Sequence, residues 1–413
     1  MKIAVVGSGI SGLVSAFVLS RRHEVVLFEA ESRLGGHTHT VTVPSPDGDV
    51  PIDTGFIVFN SRTYPNFIRL LTEWGVAWQP SDMSFSVRSD SRNFEYGSAS
   101  LNALFSQRRH LLSPRFHRMW RDILRFYREA RELLTEGHEV RIEDYLRERG
   151  YSDVFIWDHL LPLVGAVWSS NRESARDFPA RLLVRFFDNH GFLKAGAGWQ
   201  WLTVTGGSRE YIRAMRSRFG GEIRINCPVE RVCRSEAATL VKPRGLAAER
   251  FDHVVLACHA DQALSLLAQP TPSEREVLGA FQFQPNEVVL HTDERLMPRL
   301  QRTWAAWNYH LDDTQSAGPS VTYWMNRLQT LSGPRQYFVT LNRTEAIQPE
   351  RILGRFNYSH PIFTPDATRA QARHDERIDH HSVSYCGAYW RNGFHEDGVV
   401  SALRVCDRLG VSV

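Results

Sequence analysis

The chain has 413 residues, 42% hydrophobic and 23% charged, with a formal net charge of only +3. That length supplies more than one core and points to two domains, while the mild charge excludes a strongly basic nucleic-acid binder. A mean hydropathy of −0.32 and the lack of a long uninterrupted apolar run predict a chain that does not span a bilayer. Cys227, Cys233, Cys258, Cys386 and Cys406 form no C-x-x-C pair, so they read as reduced thiols and predict a cytoplasmic location.

The opening segment carries the strongest signal. Ile3, Ala4, Val5 and Val6 are β-prone, glycines follow at 7, 9 and 12, and after a helix-prone stretch a second apolar strand ends at Glu29 and Ala30. This is a βαβ unit suited to a dinucleotide. Gly7 permits a tight turn, Gly9 lets backbone approach a pyrophosphate, and Gly12 lets helix and strand pack closely, with Ser11 in the same turn. The helix start offers unpaired N–H groups and a positive dipole end to phosphate. Glu29 is placed to bind a ribose. The fingerprint also accounts for the apolar stretch near the start better than a secretory signal does, so no cleavage is expected.

Residues 85–195 read as helical, because Phe116, Met119, Trp120, Ile123, Leu124 and Tyr127 recur at helical spacing. The opposite face carries Arg115, Arg118, Arg121, Arg125 and Arg128, with Arg108 and Arg109 upstream. A basic amphipathic helix of this kind can lie in a membrane interface, which makes 115–128 a candidate for peripheral contact with the inner face of the membrane. The alternative is a stripe facing the core beneath solvated arginines. Residues 281–345 read as antiparallel strands near 287–291, 303–309, 320–325 and 336–341.

These stretches divide the chain. A discontinuous α/β, Rossmann-type dinucleotide domain takes 1–84, 196–280 and 346–413, and an α+β substrate domain takes 85–195 and 281–345. Ser169-Ser170 lacks a nucleophile elbow. His374, Asp375, Glu376, Asp379, His380 and His381 lack metal-site spacing and read as a solvated linker. A short strand then enters a turn at Gly387, and 393–398 opens an amphipathic helix.

After Ala30 come Arg33, Gly35, Gly36, His37 and Thr38, then Ile52-Asp53-Thr54-Gly55-Phe56. This order resembles the flavin-containing amine oxidase and phytoene-desaturase superfamily, whose pattern is acid, Ala, two residues, Arg, one residue, Gly-Gly, Arg, then Asp-x-Gly. The resemblance implies FAD, with Glu29 on the adenosine ribose and Arg33 near the phosphates. Ala30 and Thr38 belong to the same pattern, and Gly36, His37, Gly55 and Phe56 would line the flavin end. His37 stands where the family usually has Arg, and Phe56 where a second Gly is common. Residues 206–211 and 225–232 match two further stations, the second placing the Val229 backbone on adenine. Gly387, His395 and Gly398 fall in the strand-turn-helix element that closes the flavin site, where a helix N-terminus favours negative charge on the reduced ring. No cysteine stands near Tyr358-Ser359-His360-Pro361, so the FAD is expected to be non-covalent.

A flavin accepts hydride at N5, so the protein must hold a substrate C–H against that atom. Amine oxidases of the superfamily use a substrate-domain lysine there, whereas this chain has only Lys2, Lys194 and Lys242. Phe394 falls where an amine-oxidase cage carries tyrosine. The phrases at 166–169, 185–191, 289–293, 304–309 and 358–361 resemble a bacterial group of FAD-binding proteins related to fatty-acid double-bond isomerases and acyl or carotenoid desaturases. That resemblance implies an FAD-dependent oxidoreductase acting on an apolar, fatty-acyl or lipid-like substrate and passing electrons to an unknown acceptor. A redox-neutral double-bond isomerase and an amine oxidase are the alternatives. Candidate catalytic residues are His360, Tyr358 and Tyr309, beside Trp307 and Asn308, with Trp390 and Phe394 as walls. His360 or Tyr309 would move a proton if the reaction needs one.

Overall fold

Five short strands make a parallel sheet in the order Glu222–Arg224, Glu24–Phe28, Lys2–Val6, His253–Leu256, Val383–Tyr385. The computed structural model describes every residue except 47, 136–139, 170–174, 195–198, 236–237, 312–319 and 413. Parallel strands need crossovers that cover both faces of the sheet, so alternate residues of one strand enter different cores. Ile3 and Val5 pack on one side with the opening helix Ile10–Leu19 and the closing helix His395–Arg408. Ala4 and Val6 pack on the other side with Phe251 and Phe281. The opening helix is buried along its whole length, which explains why its sequence is apolar all round.

A second, seven-stranded sheet runs in the order Ile352–Ile362, Gln282–His291, Phe338–Leu341, Ser320–Trp324, Trp307–Leu311, Phe85–Ser89, Phe94–Gly97. Two of its parts differ from expectation. Phe85–Ser89 and Phe94–Gly97 lie in the stretch read as helical, yet they form one edge, with Phe85, Val87 and Tyr96 buried in strand alternation. Ile352–Ile362 lies in the stretch assigned to the dinucleotide domain, yet it pairs from Gln282↔Ile362 to His291↔Ile352. Ile352–Ile362 and Phe94–Gly97 are the two edge strands, and at an edge partial pairing and a proline such as Pro361 are tolerated.

The helix Pro114–Glu129 covers this second core. Ser113 Oγ accepts from Phe116 N at 3.3 Å and Pro114 occupies the first turn, two signals that start a helix. Phe116, Met119, Ile123 and Phe126 are buried, each contributing about 1.5–3 kcal/mol. The apolar stripe therefore faces protein and is not offered to a membrane. No helix among the described residues is long and apolar enough to cross one.

Candidate functional site

A cavity of about 1070 Å³ runs from the glycine turn after Lys2–Val6 to the aromatic core under the second sheet. At its first end the turn is shaped by sterics. Gly7 has φ +99°, a left-handed conformation open to glycine, and its N–H donates to Phe28 O at 2.8 Å. A Cβ on Gly9 would meet nothing within 4 Å, so the space over that residue is cavity. A Cβ on Gly12 would lie 1.8 Å from Gly7 O, so no side chain fits there. Gly36 lies against Gly9, which folds the loop carrying Arg33 and His37 over the turn. Glu29 accepts from Ser8 N at 2.9 Å and from Ser8 Oγ through one oxygen, and from Glu31 N at 2.8 Å through the other. The second oxygen keeps a free lone pair for a hydroxyl.

The middle of the cavity is rimmed by histidines. The His37 ring lies 5.3 Å from those of Tyr358 and His360 and 5.8 Å from that of His259. Its Nε2 is buried without a hydrogen-bond partner. Burial holds His37, His39 and His259 down near pKa 4 and His360 near 3, so this wall is neutral at physiological pH. Asn342 Nδ2 donates to Asn286 Oδ1 at 2.7 Å, leaving Asn286 Nδ2 to donate to His360 Nδ1 at 3.0 Å. That chain fixes His360 with its proton on Nε2. Tyr358 is committed to protein: its hydroxyl meets Thr54 Oγ1 at 2.7 Å and His39 Nδ1 at 2.9 Å.

The closing helix begins at the same cavity. Its cap is local, Phe394 N donating to Asp397 Oδ2 at 3.0 Å. Glu396 turns away to accept from Asn66 N and Phe67 N at the start of the helix Pro65–Trp74. The His395 ring bonds Tyr211 at 2.9 Å and stacks on Phe56 at 3.6 Å, which leaves its position on the helix start, rather than its imidazole, to act toward the cavity.

The same layout recurs in known proteins. Residues 10–328, well over half of the chain, match the family described as flavin containing amine oxidoreductase. The chain belongs to that family. AofH of Mycobacterium tuberculosis, which bears the name of a flavin-containing monoamine oxidase, is 27% identical over 291 residues. The match covers 67% of this chain and 61% of AofH, so the chain spans about three fifths of that relative. Putrescine oxidase with putrescine bound superposes with a TM-score of 0.71 at 14% identity, over 99% of both chains. The CLA-producing fatty acid isomerase of P. acnes superposes with 0.70 at 15% identity, over 99% of this chain and 98% of the other. At these identities the two structures share the fold.

A flavoprotein of this family holds FAD, and the residues present fit it. Two helix N-termini open on one elongated cavity, a glycine with open space above it marks the turn, and the buried Nε2 of His37 lacks a partner within the protein. Of the residues expected at the cofactor, Gly7, Gly9, Ser11, Glu29, Ala30, Arg33, Gly36, His37, Gly55, Phe56, Val229, Gly387 and His395 line the cavity. Gly12, Thr38 and Gly398 do not. Thr38 Oγ1 bonds Tyr211 at 2.5 Å, and Gly398 packs against the opening helix, where Ser11 Oγ donates to its carbonyl at 3.0 Å.

Among expected catalytic residues, His360, Tyr358 and Phe394 line the cavity of the flavoprotein, as does Trp307. Phe394 stacks on Phe186 at 4.6 Å. Tyr309 and Trp390 lie outside it. Tyr309 is fully buried in the second core, two residues along the strand from Trp307, and Trp390 stacks on His374 at 4.3 Å. Asn308 is spent on Ser86, Ala305 and Thr322. His374 is no solvated linker residue: it is buried, and its Nε2–H donates to Tyr385 O at 2.8 Å. Lys194 is exposed over Trp199, and Ser170 lies outside the described residues.

Sequence reasoning missed Asp53 as a structural hub. It accepts from Ser208 N and Oγ, from Thr40 Oγ1 and from Gln329 Nε2, tying three segments beside the cavity. Burial nevertheless raises its pKa to about 6. The Asp-x-Gly motif marked the position, but its partners lie far away in sequence. His259 and Asn286 were also missed, for want of any local pattern.

Proposed function

We propose that the chain is an FAD-dependent oxidoreductase that takes hydride from an apolar, fatty-acyl or lipid-like substrate in desaturation-type chemistry. One observation carries the reading. Beyond the histidine rim the cavity is walled by Trp168, Phe186, Trp307, Leu341, Phe363 and Phe394, and no described residue there is a carboxylate or a lysine. A cationic amine would find no counter-charge, whereas each buried methylene of an acyl chain gains about 0.8 kcal/mol. The flavin supplies the hydride acceptor. The protein would exclude water with aromatic walls, line the cavity with the neutral His360 imidazole, and set the closing-helix N-terminus against charge on the reduced cofactor, while the proton that desaturation releases with the hydride would pass to solvent.

The cofactor is held non-covalently in this reading. The two cysteines that line the cavity, Cys227 and Cys258, stand at its nucleotide end, and burial pushes the Cys258 thiol up to about 12. Anaerobic mixing with a panel of fatty acids, phospholipids and amines tests the substrate class. Bleaching of the flavin by an acyl compound, with net oxidation once an electron acceptor is added, is the expected result. Bleaching by amines alone would restore the amine oxidase, and a shifted double bond without net oxidation would make it an isomerase.

A further inference from the structure

Large apolar side chains are rarely exposed on this molecule, and three of the most exposed cluster. Leu101 is 72% exposed, Leu111 51% and Leu112 88%. They sit on the short helices Leu101–Leu104 and Arg108–Leu112, which lead into Pro114–Glu129. Side-chain contacts make these turns one unit. Arg108 donates to Asn102 Oδ1 at 2.6 Å and to Phe105 O at 2.9 Å, and His117 Nε2 donates to Leu111 O at 2.8 Å. Phe105 packs on Phe116 and His117 at 5.6 and 6.2 Å. The knob is therefore held in shape while its leucines face water.

The charge around it is one-sided. From Gly97 through Arg121 the chain has five arginines, two histidines and no carboxylate. Among the described residues only Arg115 of the five makes an ion pair, with Asp158 at 3.0 Å and Arg115 still mostly exposed. We propose that this knob docks on an anionic phospholipid surface, Leu111 and Leu112 entering the acyl boundary while Arg108, Arg109 and Arg118 remain at the phosphate level. Exposed leucines within a cationic rim match both layers of such a surface. A second copy of the chain fits poorly, because a two-fold contact would set the arginines against themselves. The docking element is the turn before the basic helix, not the buried stripe of that helix, and the inference stands apart from the reading of the cavity.

Cosedimentation of the full flavin-loaded chain with vesicles tests it. Vesicles of phosphatidylcholine mixed with phosphatidylglycerol should bind the protein, phosphatidylcholine alone should not, and added salt should weaken binding. Arg108→Gln with Arg109→Gln should lower partitioning roughly 30-fold. Leu111→Ser with Leu112→Ser should lower it at least about tenfold, and Leu246→Ser, which removes an exposed leucine on a different turn, should leave it unchanged. All variants should keep the flavin absorbance and thermal midpoint of the parent. The proposal is overturned if mixed vesicles bind nothing, if binding ignores the paired variants, or if sedimentation shows a dimer that Leu112→Ser dissociates.

Discussion

Glu29 illustrates what a single residue contributes. Its carboxylate holds Ser8 through one oxygen and keeps a lone pair on the other toward the cavity, so it shapes the turn and, we propose, accepts from the ribose of the nucleotide. Glu29→Ala should weaken FAD binding by about tenfold or more, the scale of a lost charge-assisted hydrogen bond. Dialysis followed by reconstitution measures it, and undiminished affinity would assign the residue to the turn alone. Positions were legible wherever partners are local: Gly7, Gly9, Glu29 and Arg33, close together in sequence, all line the cavity. They were illegible where contacts are distant. Tyr309 and Trp390 looked as suitable as Phe394 in sequence, and only packing turns them into core, Tyr309 under the second sheet and Trp390 against the parallel one.

At the level of elements, the contact between the opening and closing helices sets the two helix starts that open on the cavity. A Cβ on Gly398 would meet Ile10 Cγ2 at 2.7 Å and Ser11 Oγ at 2.9 Å. Gly398→Ala should push the helices apart, destabilise the fold by about 1–3 kcal/mol and loosen FAD. A thermal midpoint and a flavin-to-protein absorbance ratio equal to those of the parent would contradict this. The glycine was recognised in sequence, but as a cofactor contact, because helix-on-helix packing leaves no local trace. The edge strand Ile352–Ile362 was hidden for another reason. Pro361 argues against a strand, and only its edge position, with backbone donors unneeded on one side, makes the proline tolerable.

The whole molecule buries many histidines in neutral form. His159, His190, His253 and His291, with His37, His39 and His259 at the cavity, are held near pKa 4 by desolvation, below the usual 6.5. The unfolded chain takes up protons on these groups before the folded one does. Their stabilisation is therefore fully present above about pH 6.5 and is lost as pH falls toward 4. Asp53 and Asp397, both raised to about 6, pull the other way over that interval, since the fold holds a proton that the unfolded chain has lost. The histidines outnumber them, so the thermal midpoint should fall steadily between pH 6.5 and 4. A midpoint that stays level or rises would refute that balance. The architecture was readable as α/β from its strands, while its segment boundaries depended on pairings that no local pattern encodes.

The cavity as a seat for releasable FAD, stretched from Glu29 to the start of the closing helix, is the claim on which the chemistry rests. Acid precipitation of the purified protein, followed by mass measurement of the supernatant, tests it most directly. Intact FAD should appear in solution in equimolar amount, leaving a colourless pellet. A pellet that retains the flavin, or a supernatant containing a nicotinamide dinucleotide instead, would contradict it.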